Sequence, residues 1–298
     1  MVSFIILNYN TAKLVEDCIN SLKRCVRCAH EIIVVDNCSN QEDLDYLRNL
    51  SVRESFALIR NRINGGFGAG NMVGAQTAKG QYYCFINSDV TFVEDAITPL
   101  MAYMEENKYC GCITPQQYTP NGSFVPSFKH GTGIRHEVLG DSIFEFLFPK
   151  SFPSRKTKKQ HPFNAPEING CFMLFPAKVF WEIGGFDTNI YLYYEEYDIC
   201  RRLHQAGYES VVYPSVSFKH LRGGSSNKKT PKSIKRELFV SRIYVYAKHH
   251  NALYTSFFRT ILLIKSIFIP KKWHLLPILL SGESLAHSMK HQNMKSTL

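Results

Sequence analysis

Two short acidic stations in the chain have the make-up of a site that handles anions and protons. The first is Asn87-Ser88-Asp89, reached through the apolar and aromatic run Tyr83-Cys84-Phe85-Ile86. A carboxylate at the end of such a run can bind a divalent cation together with a diphosphate. The second is Tyr193-Tyr194-Glu195-Glu196-Tyr197-Asp198, followed by Ile199-Cys200-Arg201-Arg202. The helix macrodipole alone favours acids at a helix start. It does not explain why the turn Gly184-Gly185-Phe186-Asp187 and an aromatic loop lead into this one. A carboxylate at a loop–helix junction can reach an acceptor hydroxyl as a general base. Asp36 closes a third apolar run, Ile32-Ile33-Val34-Val35, where it could either meet a ligand or cap the next helix.

The elements that must position these residues are legible from periodicity. Val2–Leu7, Glu31–Asp36, Phe56–Ile59 and Tyr82–Ile86 read as buried strands. Leu14, Val15, Cys18, Ile19 and Leu22 recur at helical spacing, and helices are predicted at Ala69–Lys79 and Ala96–Met104. This alternation predicts a doubly wound, mostly parallel sheet with ligands beyond the carboxyl ends of its strands. Residues 116–168 break the rhythm and read as long loops and hairpins, with a short helix around Ser142–Phe148 and a basic run of Lys150, Arg155, Lys156, Lys158 and Lys159. A second ordered block follows: strand Gly170–Phe175, helices Ala177–Ile183 and Glu195–Ala206, and strand Glu209–Tyr213. From about Ser233 the pattern is helical, basic and aromatic.

The glycine cluster Gly65-Gly66-Phe67-Gly68-Ala69-Gly70-Asn71 sits in the wrong place for a dinucleotide fingerprint, because it follows the third strand and the first ends in Asn8-Tyr9-Asn10-Thr11. No Gly-Lys-Ser/Thr follows, so a P-loop is excluded. The cluster serves either as a tight turn into a helix or as backbone pressed against a nucleotide.

Charge and composition bound the rest. The 298 residues carry a formal +10, but the excess is local: Lys219 onward holds 15 Lys+Arg against 2 Asp+Glu, leaving the first 218 residues at −3. Hydrophobic content of 45% fits a globular chain and not a disordered one. No basic leader precedes the first strand, no apolar run reaches the roughly 18 residues of a membrane span, and an odd nine cysteines in apolar segments suggest reduced thiols in a cytosolic protein. Cys25-x-x-Cys28 and Cys110-x-Cys112 lack the flanking ligands of a zinc module.

Taken in order, Ser3-Phe4-Ile5-Ile6-Leu7-Asn8-Tyr9-Asn10, Val34-Val35-Asp36-Asn37-Cys38-Ser39, Asn64 to Asn71, Asn87-Ser88-Asp89 and Gly184 to Arg201 resemble glycosyltransferase family 2, with the bacterial rhamnosyltransferase-like branch closest in style. The match covers about residues 2–225. The resemblance implies a GT-A fold and an inverting transfer from a nucleotide-sugar to a glycan or lipid-linked acceptor in surface-polysaccharide assembly, with rhamnose a candidate sugar. It implies a catalytic domain at 1–225, divided into a nucleotide-sugar half (1–115) and an acceptor half (116–225), and a basic amphipathic helical tail at 226–298. By position, Asp36 would hold the base or ribose with Asn8 and Asn10 beside it. Asn37, Gly66, Gly68, Asn71, Asn87 and Ser88 would complete the donor pocket. Asp89 would bind a divalent cation, Mg2+ or Mn2+, with Asn87 replacing the first acid of the family's D-x-D motif. His220 stands where family members often place a histidine near the metal. Glu196 occupies the base position but is one methylene longer than the usual Asp, so Glu195 stays an alternative.

Nucleotidyl transfer on sugar phosphates is a competing reading, yet it would place a lysine-containing glycine loop after the first strand. A nucleic-acid binder built on the tail is another, yet the tail has no nucleic-acid motif and alternates Lys and Arg with Phe, Ile, Leu and Trp273. Such a tail is expected to lie on an anionic membrane surface at the cytoplasmic face. Packing on the catalytic domain, or a contact between two copies, is its other use.

Overall fold

The computed structural model describes residues 1–131, 133–149, 152, 154–221, 231–282 and 284–295. The boundary expected at 225/226, and Lys150 of the basic run, lie outside them. Strands β1 (Val2–Asn8), β2 (His30–Asp36), β3 (Ala57–Arg60) and β4 (Tyr82–Asn87) alternate with helices α1 (Ala12–Cys25), α2 (Gln41–Glu54) and α3 (Phe67–Thr77). The short β5 (Val90–Phe92), α4 (Ile97–Glu106) and the long β6 (Cys110–Tyr118) follow. The segment read as loops contains β7 (Phe124–Val125), β8 (Phe128–Lys129), α5 (Ile134–Leu139), α6 (Asp141–Leu147), β9 (Phe163–Asn164) and β10 (Glu167–Ile168). Then come β11 (Phe172–Pro176), α7 (Ala177–Glu182), α8 (Glu195–Gln205) and β12 (Glu209–His220). The C-terminal part is α9 (Lys232–His249), α10 (Ala252–Ile267), α11 (Leu276–Ser281) and α12 (Met289–Lys295).

The main sheet runs β3-β2-β1-β4-β11-β6-β12-β5. The first four strands are parallel, as expected, and β11 lies antiparallel between β4 and β6. Helices cover both faces: α1, α2 and α4 pack Val15, Leu47 and Leu100 on one, and α3, α7 and α8 pack Ala75, Phe180 and Ile199 on the other. The chain leaves β1 towards β2 on one side while β4 pairs on the other, so the order reverses between β1 and β4. That reversal opens a crevice at the strands' carboxyl ends, at Asn8 and Asn87.

The tail helices pack on one another and on the preceding chain, as in the other use named for them above. Phe239, Ile243, Tyr246, Phe258 and Leu262 form a core of their own with Leu275, Ile278 and Leu279. Val245 joins Ile190 and Tyr197 in another cluster. Several apolar side chains remain outside, Phe257, Ile264, Ile267 and Phe268 among them. Among the described residues no helix is long and apolar enough to cross a membrane.

Candidate active site

The first acidic station is assembled by strand register. The Asn87-Ser88-Asp89 turn leads into β5, which pairs with the end of β12 so that His220 faces Val90. The Leu221 amide donates to the Asp89 carbonyl (3.1 Å). His220 Nε2 is thereby set 2.9 Å from Asp89 Oδ1, and its Nδ1 lies 3.0 Å from Gln117 Nε2 on β6. Burial alone would lower the His220 pKa, but the Asp89 carboxylate and then the Cys171 thiol outweigh it and raise it to about 10. No cluster of three or more His, Cys, Asp or Glu occurs among the described residues. The Asp89 carboxylate and the His220 imidazole, once the proton on Nε2 is displaced, would nevertheless hold a divalent cation such as Mn2+ or Mg2+.

The residues expected to form the donor pocket divide into two groups. Asn8 is buried, with Nδ2 facing Asp36 Oδ1 (3.1 Å), Ser39 Oγ (3.0 Å) and Asp43 Oδ2 (2.7 Å). Asp36 is buried as well, with Arg60 3.9 Å away. Asn37 pins the glycine loop through Asn64 Oδ1 (2.9 Å) and the Gly66 carbonyl (3.0 Å). Gly66 has φ +89°, and a Cβ there would meet the Tyr191 carbonyl at 2.0 Å; one on Gly68 would meet the Asp187 carbonyl at 3.1 Å. The glycines therefore admit the chain's own 186–191 loop, a close approach that neither of the two uses named above describes. Asn71 donates to the Phe67 carbonyl (3.0 Å) while its buried Oδ1 has no partner among the described residues. The second group is reachable. Asn10 is exposed at φ +56°, Asn87 lines a cleft, and the half-buried Ser88 Oγ lies 3.0 Å from Thr11 Oγ1.

That cleft, about 400 Å³, is lined by Phe67, Asn87, Gln117, Lys129, Asn169, Gly170, Cys171, Leu192, Tyr193, Glu195, Glu196 and His220. It brings the imidazole of the first station and both glutamates of the second to one space. Tyr193 and Tyr194 are both left-handed at φ +70°, a conformation that costs a non-glycine residue about 1–2 kcal/mol. The surroundings enforce it: Ser241 of α9 donates to the Leu192 carbonyl (2.8 Å), and Tyr194 packs edge-on to Tyr197 and Tyr246. Glu195 is buried, and its Oε1 has no partner among the described residues. Burial first, and then the charge of Glu196, push its carboxyl well above the ordinary range. Glu196 is half-buried and sits 3.2 Å from Lys129 Nζ. Lys129 and Gln117 carried no sequence signal, because both fall in the segment read as loops, Lys129 on β8 and Gln117 at the end of the unrecognised β6. A larger hollow, about 610 Å³, lies among the C-terminal helices; its lining includes Arg259 and His250 but, among the described residues, no carboxylate.

A doubly wound sheet with an antiparallel insert, an Asp–His pair at its switch point and an acidic helix start across the cleft together make the GT-A fold of glycosyltransferases. The chain belongs to glycosyl transferase family 2, whose model matches residues 3–184. It is 26% identical over 150 residues to the N-acetylglucosaminyl-diphospho-decaprenol L-rhamnosyltransferase of Mycobacterium tuberculosis, covering 48% of this chain and 47% of that protein. It is 29% identical over 210 residues to an uncharacterized glycosyltransferase of Haemophilus influenzae, covering 69% and 62%. The chain thus spans about half of the first relative and under two thirds of the second. Among solved structures it resembles GalNAc-T7 with UDP, GalNAc and Mn2+ (TM-score 0.57, 18% identity, 83% of this chain and 50% of that one). It also resembles S. aureus TarS 1-349 (0.54, 13%, 100% and 92%).

Proposed function

We propose that the protein is an inverting glycosyltransferase that moves a sugar from a nucleotide-sugar to a hydroxyl of a glycan or lipid-linked glycan. The observation that carries this is the meeting of the two stations, His220 with its partner Asp89 and the Glu195–Glu196 pair, at one cleft beside the β1/β4 switch point. Inversion needs a single in-line displacement. Glu196 takes the proton from the acceptor hydroxyl, the oxygen bonds to the anomeric carbon, and the nucleoside diphosphate leaves. Glu195, buried and held neutral, does not compete for that proton. Asp89 and His220 would hold a divalent cation, which supplies positive charge to the departing diphosphate. Asp36, Asn37 and the glycine loop would shape the floor on which the nucleotide lies, with Asn8 bracing Asp36 and Asn10, Asn87 and Ser88 at its open edge. The tuberculosis relative is named for a lipid-linked acceptor and rhamnose, which supports testing rhamnose first and an anionic membrane surface as the place of work.

The test is nucleotide release by the purified chain from dTDP-rhamnose and the common UDP- and GDP-sugars with Mg2+ or Mn2+, with the anomeric configuration of the product read by NMR. Turnover of one donor with inverted configuration is expected. Absence of both binding and release across the panel would refute the reading, and a product of retained configuration would refute the mechanism.

A further inference from the structure

Beside the cleft, a two-stranded ribbon separate from the main sheet carries charge. β8 and β10 pair antiparallel with Lys129 directly opposite Glu167. Lys129 Nζ lies 2.5 Å from Glu167 Oε1 and 3.2 Å from Glu196 Oε1. Glu167 is almost wholly buried, at 1% exposure, whereas Glu196 faces the cleft. Three carboxylates, Glu167, Glu195 and Glu196, therefore lie close together, and Lys129 is in contact with two of them. Burial would lower the Lys129 pKa, but Glu196 and Glu167 outweigh it and hold the ammonium well above its usual value.

We propose that Lys129 is a positioning residue for the base: the ribbon clamps its ammonium against Glu167, and the ammonium in turn fixes the orientation of the Glu196 carboxylate. The proposal rests on Glu196 being the base. Cross-strand pairing with Glu167 removes the rotational freedom a lysine would otherwise lose on engaging Glu196. The arrangement also sorts the two adjacent glutamates. Glu196 receives the cation, while Glu195, turned into the core, receives none within hydrogen-bond distance among the described residues. The other titratable groups facing this cluster are Tyr193 and Tyr194 on the preceding loop, His220 across the cleft, and Glu237 and Arg242 on α9.

The carboxylate of Glu196 must face the acceptor hydroxyl, so losing the ammonium that aims it slows the chemical step and leaves donor binding alone. The experiment compares kcat and the donor KM of the full chain with those of Lys129→Met, Lys129→Arg, Glu167→Gln and Glu196→Gln. Lys129→Met should lower kcat about 10²-fold and leave the KM for the donor within about twofold. Lys129→Arg should restore most of the lost turnover. Glu167→Gln loosens the clamp and should lower kcat by a smaller factor with KM again unchanged; it carries the test if Lys129→Met does not fold. An unchanged kcat in Lys129→Met or in Glu167→Gln, or a Lys129→Arg as slow as Lys129→Met, overturns the proposal. In either case an inactive Glu196→Gln leaves the base assignment standing. An active Glu196→Gln refutes the base assignment, and the role of Lys129 goes with it.

Discussion

At Glu196 the carboxylate has the cleft on one side and Lys129 on the other, whereas Glu195, one residue earlier, is buried with an oxygen that meets no donor among the described residues. Glu196→Gln keeps the volume and removes the proton acceptor. Turnover should fall about 10²-fold or more with donor affinity, read by calorimetry, little changed. Glu195→Gln replaces a neutral acid by a neutral amide and should keep most activity; the reverse pattern would exchange the two roles. A pH-dependent stability difference should accompany it. The carboxyl of Glu195 is raised above its unfolded value by burial and then by Glu196. Its contribution is therefore fully present below the unfolded pKa and is lost as pH rises towards the folded one. Glu195→Gln should melt above the unmodified protein at pH 8, and the gap should close near pH 4. At the other station, Asp89→Ala should abolish transfer without unfolding the chain, since Asp89 lies at a strand junction and not in the core. Full activity of that variant, or unchanged activity of the unmodified protein in excess chelator, would sink the cation assignment.

Helix α8 shows what a sequence can and cannot display. Its acidic start and the strands β1, β2 and β4 were legible because apolar periodicity and clustered acids are local signals. Its fixation was not, because it comes from α9, some fifty residues later. Asp198 is wholly buried, 2.6 Å from Arg202 Nη2 within the helix, and 2.7 Å from both Lys248 Nζ and His249 Nε2 of α9. Burial would raise its pKa, but the hydrogen bond from His249 and the charge of Arg202 hold it far below the usual carboxylate range. The nine-residue β6 was missed for a related reason: Cys110-Gly111-Cys112 and Pro115 mask a strand whose partners, β11 and β12, lie far along the chain. The ribbon β8–β10 has two residues per strand, too few for any period to register. Asp198→Asn leaves the Arg202 guanidinium without its carboxylate in a buried place and takes one of two from Lys248, which should cost about 3 kcal/mol, read as a lowered denaturant midpoint. Because the folded pKa is depressed, this contribution is present above the unfolded pKa and disappears as pH falls through the folded one. The melting curves of the two proteins should therefore converge in strong acid. A gap that persists there would mean that packing, not charge, holds α8 to α9.

For the whole molecule, the tail is both part of the catalytic body and a surface in its own right. Tyr246 stacks on Phe258 with ring centroids 4.1 Å apart, Tyr244 and Lys248 hold Asp187, and Asn293 donates to the Asn64 carbonyl beside the glycine loop (3.0 Å). Truncation near Asn251 would strip α10 from Tyr246 and disturb the loop that carries Glu195 and Glu196, so donor hydrolysis would not survive it untouched. Point changes are the sharper tool. The corner after α10 leaves Phe268 79% and Trp273 56% exposed, with Ile267 and Ile269 beside them and Lys271 and Lys272 between. Aromatic and aliphatic side chains interleaved with lysines match the interface of an anionic bilayer, where each lysine near the surface contributes about 1 kcal/mol. The double change Lys271→Gln, Lys272→Gln should therefore weaken binding to vesicles of anionic lipid by roughly 30-fold, and Phe268→Ser with Trp273→Ser should abolish it. Neither pair touches the cleft, so nucleotide release in solution should stay as it was. Flotation with anionic vesicles that is unchanged in both pairs would refute a membrane role for this corner. Concentration-dependent self-association lost in both, with no vesicle binding at any stage, would assign the corner to a second copy of the chain.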